Sequence, residues 1–172
     1  DMFMAMGHQC GLISTVVYRI AERRIDSTHT TPDSIRLNAM MREMVDEGCE
    51  YCFMEVSSHA AAQHRIDNLR FEGALFTNLT HDHLDYHGTF KEYIRAKKSF
   101  FDGLDKEAWA VVNIDDRNGE VMIQNCKAKC YRLSLRSMAD FRTKILEMMP
   151  NGMQLYIDGN ELWAKFTGRF NA

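Results

Sequence analysis

The chain has 172 residues, 45% hydrophobic and 26% charged, which is long enough for one sizeable core and makes a single domain the expectation. A net charge of -3 and a pI of about 6.2 exclude a global basic field that could hold nucleic acid or an anionic membrane surface, so any phosphate recognition must be local. No apolar run approaches the roughly 20 residues of a membrane helix, and the amino end shows no basic, apolar and cleavage-site succession. With five cysteines in no framework spacing, the composition predicts a cytoplasmic protein with no membrane or nucleic-acid partner. The stretch opening at Asp1 is amphipathic and has no start methionine, and no terminating signal follows Gly168 to Asn171; both ends read as cut.

Residues 1 to 8 read as the last turns of a helix. Gly11 to Ile20 is β-branched and predicts one strand, after which Arg23 and Arg24 fall in a polar turn. The Thr28-His29-Thr30-Thr31-Pro32-Asp33 cluster leads into a helix over Asp33 to Glu47, with Ile35, Leu37, Met40, Met41, Met44 and Val45 at helical spacing and Gly48 as its end. Glu50 to Ser58 is a strand whose apolar run predicts cover on both faces. Ala60 to Asp67 is a short helix and Phe71 to Leu79 the next strand.

Thr89 can cap a helix in which Phe90, Tyr93, Ile94, Lys97, Phe100 and Phe101 share a face, while Lys98 projects toward solvent. Ala108 to Ile114 is a buried strand ending in a polar turn through Gly119. A helix over Val121 to Asn125, a strand near Tyr131 to Ser134 and a helix from Met138 to Met148 follow. Met153 to Ile157 and Leu162 to Phe166 flank Asp158-Gly159-Asn160 as a hairpin. The alternation predicts an α/β fold: a mostly parallel sheet flanked by helices, with an antiparallel hairpin near the carboxyl end.

The stretch Thr77 to His87 puts three histidines and two aspartates within eleven residues directly after a strand. Such a strand end suits a metal or phosphate site. Glu55, Ser57, Ser58 and His59 end the preceding strand, so on neighbouring parallel strands the two tips would share one site, with Glu55 facing His83 across a magnesium ion. Solvation of a loop and a paired buried carboxylate are the plain alternatives. The His81-x-His83-x-Asp85 spacing also evokes the zinc motif of metallo-β-lactamase-like hydrolases, although Tyr86 stands where a histidine is wanted. Cys49-x2-Cys52 and Cys126-x3-Cys130 could be halves of a zinc site or packed free thiols. Lys97 among aromatics is either a snorkelling side chain or an amine of depressed pKa able to take up CO2 as a carbamate.

The Glu55 to Arg65 segment, Glu-Val-Ser-Ser-His-Ala-Ala-Ala-Gln-His-Arg, together with Thr77 to His87, resembles the Mur ligases, and the similarity continues through Thr28 to Pro32, Tyr93 to Lys97, Asn113 to Gly119 and Gly168 to Asn171. The resemblance implies the central ATP-binding domain of an enzyme that activates the D-glutamyl carboxylate of UDP-N-acetylmuramoyl-L-alanyl-D-glutamate as an acyl-phosphate, which the amine of a diamino acid then attacks. It further implies Glu55 and His83 as ligands of Mg2+, Lys97 as a carbamylated lysine, and Thr30, Thr31, Ser57, Gln63 and Arg65 as holding the UDP-sugar dipeptide. Asn171 would meet adenine, and Asp115 and Asp116 would lie near the nucleotide.

The family's Gly-Thr-Asn-Gly-Lys-Thr-Thr phosphate loop is not among the 172 residues, nor are the uridine-binding and amino-acid-selecting domains, and His81 stands where many relatives carry arginine. The expectation over residues 1–172 is therefore a partial central domain, inactive by itself. The choice between lysine and meso-diaminopimelate stays open. Two other readings are a zinc hydrolase centred on His81, His83 and His87, and a non-catalytic folded module, monomeric or weakly self-associating.

Overall fold

The computed structural model describes residues 1–80 and 84–168, with the backbone alone for Leu84 and Asp85. The chain divides into two compact units, Asp1–Leu69 and Arg70–Ala172, each with its own sheet.

In the first unit β1 (Cys10–Ile13), β2 (Val17–Ile20) and β3 (Arg23–Asp26) form an antiparallel meander, and β4 (Tyr51–Met54) joins parallel to β1, in the order β3-β2-β1-β4. The strand expected over Gly11 to Ile20 is thus two. Ser14 makes the turn: its hydroxyl donates to the Val17 carbonyl at 2.9 Å and accepts the Val17 N–H at 3.3 Å. That turn is closed by a side chain and has no glycine, proline or asparagine to announce it. Arg23 and Arg24, expected in a turn, lie instead in β3, an edge strand that its charges keep from pairing further.

The helix α2 (Ser34–Asp46) is the expected one, although Ile35 and Val45 of its apolar set are exposed. The Asp33 side chain accepts the N–H groups of Ile35 and Arg36 at 3.0 Å each, and Leu37, Met40 and Met44 are buried. The short α1 (Met2–Ala5) lays Phe3 edge-on against Tyr51 and Phe53, with ring centroids 4.7 and 5.1 Å apart. The expected double cover of β4 is not found: Tyr51 and Phe53 stay 42% and 43% exposed, because β4 is the edge strand of its sheet. The helix α3 (Ser58–Ala62) starts two residues before the predicted Ala60, capped by Ser57, and ends well short of Asp67.

In the second unit β5 (Gly73–Phe76), β6 (Trp109–Asn113), β7 (Lys129–Ser134) and β8 (Phe141–Met149) run parallel, and β9 (Gly152–Ile157) and β10 (Asn160–Ala164) extend the sheet antiparallel. Its helices are α4 (Leu84–His87), α5 (Phe90–Asp102), which Thr89 caps as expected, and α6 (Gly119–Ile123). Phe76, Phe101, Leu104, Ala110, Val112 and Met122 form its core. Asp158 and Gly159 have φ of 46° and 91°, the two left-handed residues that a tight hairpin requires.

The α/β class is as expected, but two features are not. The helix predicted from Met138 to Met148 is largely strand β8, paired with β9 from Thr143 to Met149. Lys144, Ile145, Leu146, Glu147 and Met148 suit a helix locally, and pairing with a distant segment outweighs that preference. Further, β4 pairs with β1 and β5 with β6, each within the sheet of its own unit. Among the described residues no helix is long and apolar enough to cross a membrane.

Candidate functional site

In the first unit the polar residues gather at the carboxyl ends of the parallel pair β1 and β4. The ladder continues one step past β4, with the Glu55 N–H donating to the Ile13 carbonyl at 2.8 Å. This fixes Glu55 opposite the turn that follows β1. There the Thr15 N–H and hydroxyl both donate to Glu55 Oε2, at 2.9 and 2.7 Å. Oε1 receives no donor among the described residues. Thr30 Oγ1 lies 3.0 Å from Thr15 Oγ1, and Ser27 Oγ ties down the Thr15 carbonyl at 2.7 Å.

Thr31 is 1% exposed, and its hydroxyl donates to the Glu55 carbonyl at 2.7 Å while accepting the Ser57 N–H at 3.1 Å. It therefore holds the strand exit in place, with its hydroxyl committed to the backbone on both sides. Ser57 Oγ accepts the Ala60 N–H at 3.1 Å as the α3 cap. Arg65 donates Nη1–H to the Thr31 carbonyl at 2.7 Å and Nε–H to Gln63 Oε1 at 2.9 Å, with Nη2 on the same amide oxygen. Among the described residues two of its five guanidinium protons stay uncommitted, in number enough for one forked anion. Thr30, Thr31, Ser57, Gln63 and Arg65 are thus brought into one hydrogen-bonded neighbourhood with Glu55.

Thr15 is the residue that the sequence did not reveal. Nothing in local spacing links position 15 to position 55, and a threonine just past a buried run was the only hint.

The second unit offers a contrasting set of strand ends. Asp115 accepts from Ser134 Oγ at 2.6 Å and from the Leu135 N–H at 2.8 Å. Asp116 accepts the Leu79 N–H at 2.8 Å through Oδ2, and the Asn118 N–H and side-chain amide at 2.7 and 3.0 Å through Oδ1. Asn113 Nδ2 donates to the Thr77 carbonyl at 2.9 Å. The ends of β5, β6 and β7 are laced together by these groups, so the two carboxylates face inward as a brace. Gly119 permits it: a Cβ there would stand 2.2 Å from the Asn113 carbonyl oxygen, so only glycine lets α6 begin so close under the strand end.

Lys97 lies on α5 with Nζ 5.6 Å from the centre of the Tyr93 ring, and burial holds its ammonium below the usual lysine range. His87 stacks on the same Tyr93 ring, with centroids 5.3 Å apart. Lys98, expected in solvent, pairs with Asp102 one turn on, and its side chain is 14% exposed. His81, His83 and Asn171 lie outside the described residues.

Among the described residues no three His, Cys, Asp or Glu side chains group as a metal cage, which overturns the zinc reading of Cys49, Cys52, Cys126 and Cys130. Burial and the neighbouring Cys126 thiol push Cys130 up to about 11, so it stays a protonated, poorly ligating thiol at neutral pH. Magnesium asks for less, since it takes one or two carboxylates and completes its shell with water and phosphate oxygens. A Glu55 carboxylate with one oxygen fixed and the other open has the chemistry for that role.

The family model described as Mur ligase middle domain matches residues 2–172. The chain is 56% identical over all of its length to the UDP-N-acetylmuramoyl-L-alanyl-D-glutamate--2,6-diaminopimelate ligase of Phocaeicola vulgatus, and 52% identical over 99% of its length to that of Cytophaga hutchinsonii. It spans 36% and 35% of those relatives, about a third of their length. A solved structure of a ligase of the same name superposes with a TM-score of 0.86 at 26% identity, covering 99% of this chain and 36% of that one. The MurF ligase from Thermotoga maritima in complex with ADP superposes with a TM-score of 0.62 at 13% identity, over 96% of this chain and 36% of that one, a likeness of fold. With a match running from its second residue to its last, the chain belongs to the Mur ligase middle-domain family.

Proposed function

We propose that this chain is the central domain of a cytoplasmic, ATP-dependent ligase that joins 2,6-diaminopimelate to the D-glutamyl carboxyl group of UDP-N-acetylmuramoyl-L-alanyl-D-glutamate, a step in peptidoglycan assembly. The observation that carries the reading is identity above one half, over essentially the whole chain, with ligases named for that reaction.

In this reading Glu55 presents Oε1 as an anionic ligand for Mg2+, with His83 as a second ligand. The ion, when bound, would offset charge on the phosphate oxygens of ATP as the carboxylate approaches them. Arg65 uses its open edge to hold an anionic group of the UDP-sugar dipeptide, with Gln63 fixing the guanidinium plane and Thr30 and Ser57 lining the approach. Thr31 contributes by holding the Glu55 carbonyl. Asn171 meets adenine. Asp115 and Asp116 act at one remove, keeping the strand ends of the second unit in register beside the nucleotide.

Lys97 supplies an amine whose lowered pKa enlarges its neutral fraction. Once the ammonium has shed one proton, the nitrogen lone pair can attack CO2, forming a C–N bond as a C=O π pair moves onto oxygen, and a second proton then leaves the nitrogen to solvent, so that a cation becomes an anionic carbamate.

The test is phosphate release by a full-length protein carrying this domain, given the UDP-sugar dipeptide, ATP, Mg2+ and either diaminopimelate or lysine. Release with diaminopimelate that needs every component is the expected result. Release with lysine instead would overturn the amino-acid assignment, and none with either would overturn the ligase reading.

A further inference from the structure

We infer that Thr15 is a positioning residue for the metal-binding carboxylate: its two donors on Glu55 Oε2 leave Oε1 as the oxygen presented to a divalent cation, and its hydroxyl turns Thr30 into a pure acceptor. This rests on the reading of Glu55 as a magnesium ligand.

A glutamate on the exit of an edge strand has three rotatable side-chain bonds, and freezing them at the moment of metal binding costs conformational entropy. Here that cost is met in advance. Oε2 takes the Thr15 N–H at 2.9 Å and the Thr15 hydroxyl at 2.7 Å, while the Glu55 backbone is fixed at its N–H by Ile13 and at its carbonyl by Thr31. The turn that carries Thr15 is closed by Ser14 and held again by Ser27. Both donors reach one oxygen and neither reaches the other, so the clamp distinguishes the two oxygens of a group that is otherwise symmetric. Partners of this kind, one shell out from a metal, commonly alter affinity by about 10- to 100-fold.

The proton inventory adds a second consequence. A hydroxyl has one proton, and that of Thr15 goes to a carboxylate that can only accept. The 3.0 Å contact with Thr30 must then run from Thr30 to Thr15. With its own proton directed at Thr15, Thr30 can offer a ligand lone pairs alone. It therefore suits an amide N–H or a sugar hydroxyl of the substrate, and it repels a phosphate or carboxylate oxygen.

The experiment uses the full-length protein with ADP bound and Mn2+ as the probe, its affinity read by electron paramagnetic resonance, in T15V, T15A, T15S and E55Q variants. The Thr15 N–H survives all three substitutions at that position, so T15V and T15A are expected to weaken Mn2+ binding by about tenfold, the low end of the range for such partners. T15S, which keeps the hydroxyl, is expected to stay within about twofold of the parent. Melting temperatures of the Thr15 variants should match the parent, since the position is exposed. Unchanged Mn2+ affinity in T15V and T15A beside weakened binding in E55Q would overturn the positioning role and leave the Glu55 assignment standing. Unchanged affinity in E55Q would overturn that assignment, and the positioning role with it. A T15S as weak as T15V would assign the effect to lost packing instead of the hydroxyl, and would likewise overturn the inference.

Discussion

The two units place carboxylates at the same kind of location, the carboxyl ends of parallel strands, and use them in opposite ways. Glu55 has one oxygen clamped by Thr15 and one without a donor among the described residues. Asp115 and Asp116 direct both oxygens at backbone N–H groups and side chains of their own sheet. The same position in the fold thus holds an open carboxylate in one unit and bracing carboxylates in the other, and an inventory of donors tells them apart. The family resemblance implies that the two aspartates lie near the nucleotide, and the hydrogen bonds give them a structural role there as well.

That contrast can be broken by substitutions whose effects fall on different observables. The largest expected effect is on turnover. E55Q in a full-length protein carrying this domain should lower ligase activity by at least about 100-fold, about 2.7 kcal/mol in the barrier, with no change in melting temperature. Equal losses of activity and stability would make Glu55 one more brace.

Asp116→Ala should act the other way round. It strands the Leu79 N–H and two Asn118 donors, and about 2–3 kcal/mol of stability should disappear in urea denaturation. A stability within error of the parent would show that the lacing of β5 to β6 is ornamental.

Ser134→Ala should cost less, about 1–2 kcal/mol. Its hydroxyl is buried, donates to Asp115 and accepts the N–H groups of Arg136 and Ser137 at 2.9 and 2.7 Å, but Asp115 keeps the Leu135 N–H.

The smallest effect belongs to Lys97, and its sign is fixed by linkage. Burial lowers the folded pKa below the unfolded value of about 10.5, so between the two the unfolded chain binds more protons and stability rises with pH. Below that window the charged, desolvated form weighs against folding. Lys97→Met should therefore be slightly more stable than the parent at neutral pH, with the gap closing as pH climbs toward 10.5. A gap that widened on that climb would contradict the burial argument. Added bicarbonate should raise the mass of the parent by one CO2 and leave the variant unchanged.

The helices α2 and α5 could be read from sequence because each carries its own boundary signals: Asp33 and Gly48 for one, Thr89 and the aromatic face for the other. The β9–β10 hairpin was equally legible from Asp158-Gly159. Where the deciding interaction is distant, local patterns failed. The strand β8 owes its form to β9, and the β1–β2 reversal to a single serine hydroxyl. Lys98 was misplaced although its partner Asp102 stood four residues on, a spacing that could have been used.

The site follows the same rule. Glu55 stood out as a carboxylate inside an apolar run, and Gln63 and Arg65 were pointed to by the family resemblance of one short segment, whereas Thr15 is forty residues from the carboxylate it holds. The burial of Thr31 depends on how residues 27–32 fold over the strand exit, which no spacing conveys.

The most direct test of Glu55 as the metal-bearing carboxylate is a crystal structure of a full-length protein carrying this domain with a non-hydrolysable ATP analogue and Mg2+. Glu55 Oε1 is expected at about 2.1 Å from the ion, with Oε2 still on the Thr15 N–H and hydroxyl. A magnesium ion bound to the phosphates with the Glu55 carboxylate turned away from it would contradict the assignment.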